Sequence, residues 1–144
     1  MRWRHAAALP GLLGALAFIP AASEPAGVSV HDAWIREAPP GVATMAGYME
    51  LRNHTARPQV LVAASGSGFE RVMVHRTIVK DGVAGMAHAS RVVLKANASF
   101  AFKPGDHHLM LMNPNRPLRV GDRTVIKLEF SSGLVLPVGF EVRK

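Results

Sequence analysis

Beyond its first two dozen residues the chain sets short apolar runs against polar positions, with turn residues between the runs. In Arg123–Phe130, Thr124, Ile126, Leu128 and Phe130 alternate with Val125, Lys127 and Glu129, the period of two of a half-buried strand. Thr44–Arg52 places Met45, Gly47, Met49 and Leu51 on one side and Tyr48, Glu50 and Arg52 on the other. Val28–Ile35, Gln59–Ala64, Phe69–His75, Thr77–Lys80, Ser99–Phe102, His107–Met112 and Leu134–Val142 are further strand candidates. Pro39-Pro40-Gly41, Asp81-Gly82, Pro104-Gly105, Asn113-Pro114-Asn115 and Gly121-Asp122 punctuate them as turns. No helical period is sustained over this region. Many short strands with turns between them predict an all-β fold, an antiparallel sandwich or barrel. No internal repeat, linker or low-complexity tract divides it, so residues 24–144 are expected to form one domain.

Residues 1–23 follow another pattern. Arg2 and Arg4 precede an apolar stretch from Ala6 to Ile19, and the small residues Ala21, Ala22 and Ser23 follow it. That is the layout of a secretory signal peptide with cleavage near Ala22 or Ser23. The apolar stretch is interrupted by Pro10, Gly11 and Gly14 and is too short for a spanning helix, so no membrane span is expected after cleavage. In a Gram-negative host the destination is the periplasm. There is no Cys among the 144 residues, which excludes disulfides, thiolate metal sites, Cys nucleophiles and a lipid on an N-terminal Cys. The formal net charge is +7, and loss of Arg2 and Arg4 brings it to +5. The arginines are scattered and not interleaved with aromatics, which argues against a nucleic-acid platform. A basic surface can still steer the protein towards an acidic partner. No Ser-His-Asp or paired-carboxylate constellation is visible, so the chain does not read as an enzyme.

The chemistry lies in His and Met. In His107-His108-Leu109-Met110-Leu111-Met112, alternate side chains of a strand share a face. Leu109 and Leu111 define the core side, and His107 goes with them. His108, Met110 and Met112 then point the other way, onto a face expected to lie open at the surface. A second pair comes from a hairpin expected at Asp81-Gly82, which brings the strand ending in His75 near Met86 without fixing whether the two side chains meet. Thioethers have little use for Mg²⁺ or Ca²⁺. Zn²⁺ prefers Cys, His and carboxylate. A His/Met set without Cys points to copper, best as Cu(I), and rules out a blue-copper centre. His88 shares a face with Met86 if that run is extended and is an auxiliary ligand candidate. Met112 is read as packing outside the ligand set, as are Met45, Met49 and Met73. Trp34 and Tyr48 read as core or rim, and His31 and His54 have no evident partners.

His75, Met86, His108 and Met110 stand in the spacing H-x10-M-x21-H-x-M. This resembles the signature of the PCu(A)C family of periplasmic copper chaperones. Three matches at fixed offsets from any His arise by chance at roughly one in a thousand. The flanks Asp81-Gly82-Val83, Lys103-Pro104-Gly105 and Arg116-Pro117-Leu118 are similar as well, as are Asp32-Ala33-Trp34 and Gly47-Tyr48 upstream. One departure is Arg76, where family members often carry Met or an acidic residue after the first His; a cation there is expected to weaken metal affinity. The resemblance implies a cupredoxin-like β-sandwich. It also implies one Cu(I) per chain, held by His75, Met86, His108 and Met110. The implied recipient is a copper protein: the Cu(A) subunit of cytochrome c oxidase or another copper chaperone. Copper buffering or storage at the same site, and a metal-free exported interaction module, are the alternative readings.

Overall fold

A computed structural model describes residues 27–144, and among them every regular element is a strand. The leader expected over residues 1–23 lies outside the described residues. In chain order the strands are β1 (Val28–Arg36), β2 (Thr44–Asn53), β3 (Gln59–Ser65), β4 (Phe69–Lys80), β5 (Val83–His88), β6 (Val92–Leu94), β7 (Ser99–Phe102), β8 (His107–Pro114), β9 (Arg123–Phe130) and β10 (Val135–Arg143). They form one sheet in the order β5-β4-β8-β2-β1-β10-β9-β3-β6, with β7 pairing the far half of β2. All pairings are antiparallel except β1 with β10. The fold is all-β, as the strand pattern led one to expect, and cupredoxin-like, as the resemblance implied.

The sheet doubles over so that one continuous core fills the space between its halves. Ile35, Leu51, Leu109, Leu111, Ile126, Leu128, Phe140 and Val142 are completely enclosed and belong to that core. The alternation of β9 places Ile126, Leu128 and Phe130 inside. Met45 and Met49 of β2 also go inside, as packing. Asn53, the last residue of β2, is buried without exposure. Its amide donates to the carbonyls of Arg57, Leu94 and Lys95, and its Oδ1 accepts from both the N–H and the hydroxyl of Thr55. One polar side chain thus ties the end of β2 to the β2–β3 turn and to β6.

One expected boundary changes, and two strands appear that the sequence pattern did not single out. Phe69–His75 and Thr77–Lys80 are a single strand, because Arg76 pairs with His107 on one side and Ala87 on the other. Val83–His88 is a strand by virtue of its ladder with β4, although all but Ala87 of its residues are exposed. Val92–Leu94 is a short edge strand on β3. The hairpin at Asp81-Gly82 is present: Lys80 and Val83 are paired, and both central residues have positive φ (53° and 76°). Two left-handed residues give the turn whose twist matches the flanking strands.

Candidate metal centre

The centre of interest is the outer face of β4, β5 and β8. In β4, Val72 and Val74 go to the core, so Met73 and His75 go outward. In β8, Leu109 and Leu111 go to the core, so His108, Met110 and Met112 go outward. The register then sets rows across the strands. His88, His75 and His108 lie side by side on β5, β4 and β8, with the His75 ring centroid 5.9 Å from His88 and 6.0 Å from His108. Both pairs are close to edge-on, at 81° and 67°. One row away, Met73 faces Met110. One row in the other direction, Met86 faces Thr77.

The turn before β8 sets the orientation of His107 and His108. Gly105 takes φ 82°, and the Asp106 N–H donates to the Lys103 carbonyl. The Asp106 carboxylate accepts from both the N–H and the ring Nδ1 of His107, each at 2.9 Å. His107 is held on the core side against Phe100 and Phe102, which is where alternation put it. That hydrogen bond, ahead of smaller effects, draws the Asp106 carboxyl below its ordinary range. The Asp106 carbonyl faces the other way. It accepts the Thr77 N–H at 3.2 Å and lies 3.1 Å from His108 Nδ1. A carbonyl can only accept, so His108 Nδ1 carries the proton and its Nε2 keeps a free lone pair. This outer hydrogen bond is the usual device that orients a metal-binding imidazole.

Two nitrogens in this row have no partner. His108 Nε2 and His75 Nδ1 are both buried and unpaired. His108 is only 4% exposed, so the face is less open at this point than its sequence suggested. A buried polar atom without a partner costs on the order of 1–3 kcal/mol, and native proteins rarely leave one without a reason. His75 is held below the usual histidine range, first by burial and then by the positive potential of His108 and His88. Both effects favour the neutral ring, the form with a lone pair to give.

His75, His108 and Met110 therefore sit on adjacent positions of two neighbouring strands. Met86 is one strand further out, at the sheet edge, and 62% exposed. Among the described residues no group of three or more His, Asp and Glu side chains is placed to hold a metal. An ion on this face would have to be completed by thioether sulfur, a donor that suits a soft monovalent cation. Met112 shares the face but pairs Thr44 and Arg71, away from the histidine row. Arg76 pairs His107 and so lies on the opposite side of β4 from His75, which removes it as a cation at the site. His31 and His54 do have a partner: Ser29 Oγ, at 3.0 and 2.7 Å from their Nε2 atoms. Trp34 and Tyr48 stack at 4.8 Å beside the Arg36 guanidinium, further along the same sheet. Met73, read from sequence as packing, is instead half-buried on the site's face. Its signal was present, since it lies two residues before His75 on one strand.

The family model described as "Putative lipoprotein LpqE-like" matches residues 28–142. "Putative lipoprotein Lxx21020" of Leifsonia xyli subsp. xyli is 31% identical over 144 residues, covering 96% of this chain and 86% of that protein. The Cu(I) form of DR1885 from Deinococcus radiodurans superposes with a TM-score of 0.66 at 30% identity, over 86% of this chain and 82% of that one. The copper-bound PCuAC domain of PmoF2 has the same fold, with a TM-score of 0.69 at 19% identity, over 83% of this chain and 96% of the domain.

Proposed function

The chain belongs to the LpqE-like family, and from that premise we propose that it is an exported copper carrier, binding one Cu(I) through His75, Met86, His108 and Met110 and passing it to a recipient copper protein. The observation that carries the reading is the pair of buried, unpartnered imidazole nitrogens on directly opposed residues of β4 and β8. Thioethers stand next to them, and no Cys is available to compete. The likeness to the Cu(I) form of DR1885 supports the choice of metal.

The copper is cargo. His108 is fixed in the correct tautomer by the Asp106 carbonyl and serves as the anchor. His75 is kept neutral by its surroundings. Met86, at the exposed edge, is the ligand most open to replacement. A thiolate or imidazole of the recipient displaces Met86 first and then the remaining ligands, so the ion is never free. This exchange moves no electrons and needs no proton relay, consistent with a carrier and not an enzyme. The recipient whose chemistry fits is a copper centre with thiolate and imidazole ligands, such as the Cu(A) subunit of cytochrome c oxidase, or a second copper chaperone. Its setting is the periplasm after removal of residues 1–23. The lipoprotein description of its relatives does not extend to a Cys-linked lipid on this sequence, which has no Cys.

Anaerobic titration with Cu(I) against a mild Cu(I) chelator tests the site. One equivalent is retained, silent in EPR, and the double substitution Met86→Ala/Met110→Ala weakens retention by more than about tenfold. Unchanged retention in the double variant refutes the assignment. Mixing the loaded protein with an apo Cu(A) domain separates carrier from buffer: a carrier loses its copper to the domain, whereas a buffer keeps it.

A further inference from the structure

We infer that Met73 is an additional copper ligand, giving the ion an inner position between β4 and β8 and leaving Met86 free to exchange. The inference rests on the copper reading above and adds a residue that lies outside the spacing signature.

The register makes the case. Met73 is directly opposite Met110, and His75 is directly opposite His108. All four side chains leave the same face, so they form a two-by-two block on neighbouring strands. Directly opposed residues have Cβ atoms about 5 Å apart. Residues two apart on a strand are separated by about 7 Å. Met86 and Met110 stand instead at opposite corners of the three-strand patch, two strands and two rows apart. On a regular sheet that is about 16 Å between α-carbons. Two fully extended thioethers fall short of that span, so the β4–β5 hairpin must curl over the face for Met86 and Met110 to share one ion, whereas Met73 and Met110 already adjoin.

Burial points the same way. Met73 and Met110 are half-buried beside the enclosed His108, whereas Met86 is exposed. The ladder of β5 ends at His88, so no strand lies beyond Met73 to cover it. On its other side, Met110 has only the small Ala46 as its β2 neighbour, which leaves room for a sulfur to turn inward. Met73 has no role in the core, where Val72 and Val74 of the same strand already point.

The step is a ligand exchange. A copper–sulfur bond to Met86 breaks as one to Met73 forms; charge and oxidation state are unchanged. In the inner position Cu(I) is held by His75, His108, Met110 and Met73. In the outer position Met86 replaces Met73, and the ion is presented at the sheet edge. The inner position slows escape, and the outer one meets the recipient.

The test uses the whole mature chain with methionine methyls labelled for NMR, titrated anaerobically with Cu(I). The methyl resonances of Met73 and Met110 move together and saturate at one equivalent. Met73→Leu, which nearly conserves volume, weakens retention about tenfold while the backbone spectrum is unchanged. A Met73 methyl that stays still while those of Met86 and Met110 move overturns the inference and leaves the copper reading standing. If no methionine methyl moves, both fall.

Discussion

His108 has one ring nitrogen committed and one free, the state a metal-binding imidazole needs. Its Nδ1–H is committed to the Asp106 carbonyl, and its Nε2 is buried and unpaired. His75 contributes the second free nitrogen and is held neutral by burial and by two histidine neighbours. Its lowered pKa has consequences that proton NMR of the apo protein can follow. The His75 ring titrates below the ordinary histidine value of about 6.5. Because the unfolded chain binds this proton more readily, folding stability is full above about pH 6.5 and falls as the pH drops through that value towards the folded-state pKa. Copper uptake weakens over the acid range as both rings protonate. Uptake that stays flat down to about pH 4.5, far below the ordinary histidine value, excludes joint ligation by His75 and His108. At this scale the sequence was informative about identity and less so about role. The spacing singled out four residues, but Met73 stayed hidden because Val72-Met73-Val74 reads as one apolar run. Both faces of β4 carry apolar side chains there, so the period of two loses its contrast. Arg76 was misplaced for the opposite reason. Adjacency in sequence suggested adjacency in space, whereas the pleat sends neighbours to opposite faces.

Among the elements, the β4–β5 hairpin and β8 carry the candidate site, and the Asp106 carbonyl joins them by accepting from Thr77 of one strand and His108 of the other. The strands that pack on the core were legible, since β9 and β2 each have one apolar and one polar side. β5 was not, because Val83-Ala84-Gly85-Met86-Ala87-His88 has small residues on both faces and buries almost nothing. Only its turn could be read, from Asp81-Gly82. Asn53 is the corresponding lock on the far end of β2. Its replacement by Ala removes the side-chain donor to the carbonyls of Arg57, Leu94 and Lys95 and the acceptor of the Thr55 N–H. Each such group costs on the order of 1–3 kcal/mol. Asn53→Ala is therefore expected to lower unfolding free energy by about 3 kcal/mol in urea, with Cu(I) retention by the folded fraction unchanged. A loss below about 0.5 kcal/mol, the range of an ordinary surface substitution, would show that the network is not holding β2, β3 and β6 together.

For the molecule as a whole, the doubled sheet separates two tasks. Its inner surface is a closed apolar core that runs through both halves. Its outer surface over β5, β4 and β8 carries the histidine and methionine rows, free of any demand from packing. The parallel pairing of β1 with β10 links the sheet through its middle, a contact between distant parts of the chain that no local pattern announces. This architecture would let the proposed soft-metal site sit on a strand face without a cysteine. X-ray absorption at the copper edge, on the mature protein loaded with one equivalent of Cu(I), tests that account most directly. A spectrum of monovalent copper bound by both imidazole nitrogen and thioether sulfur is the predicted result. A shell of nitrogen and oxygen alone, or copper that washes off before measurement, would contradict it.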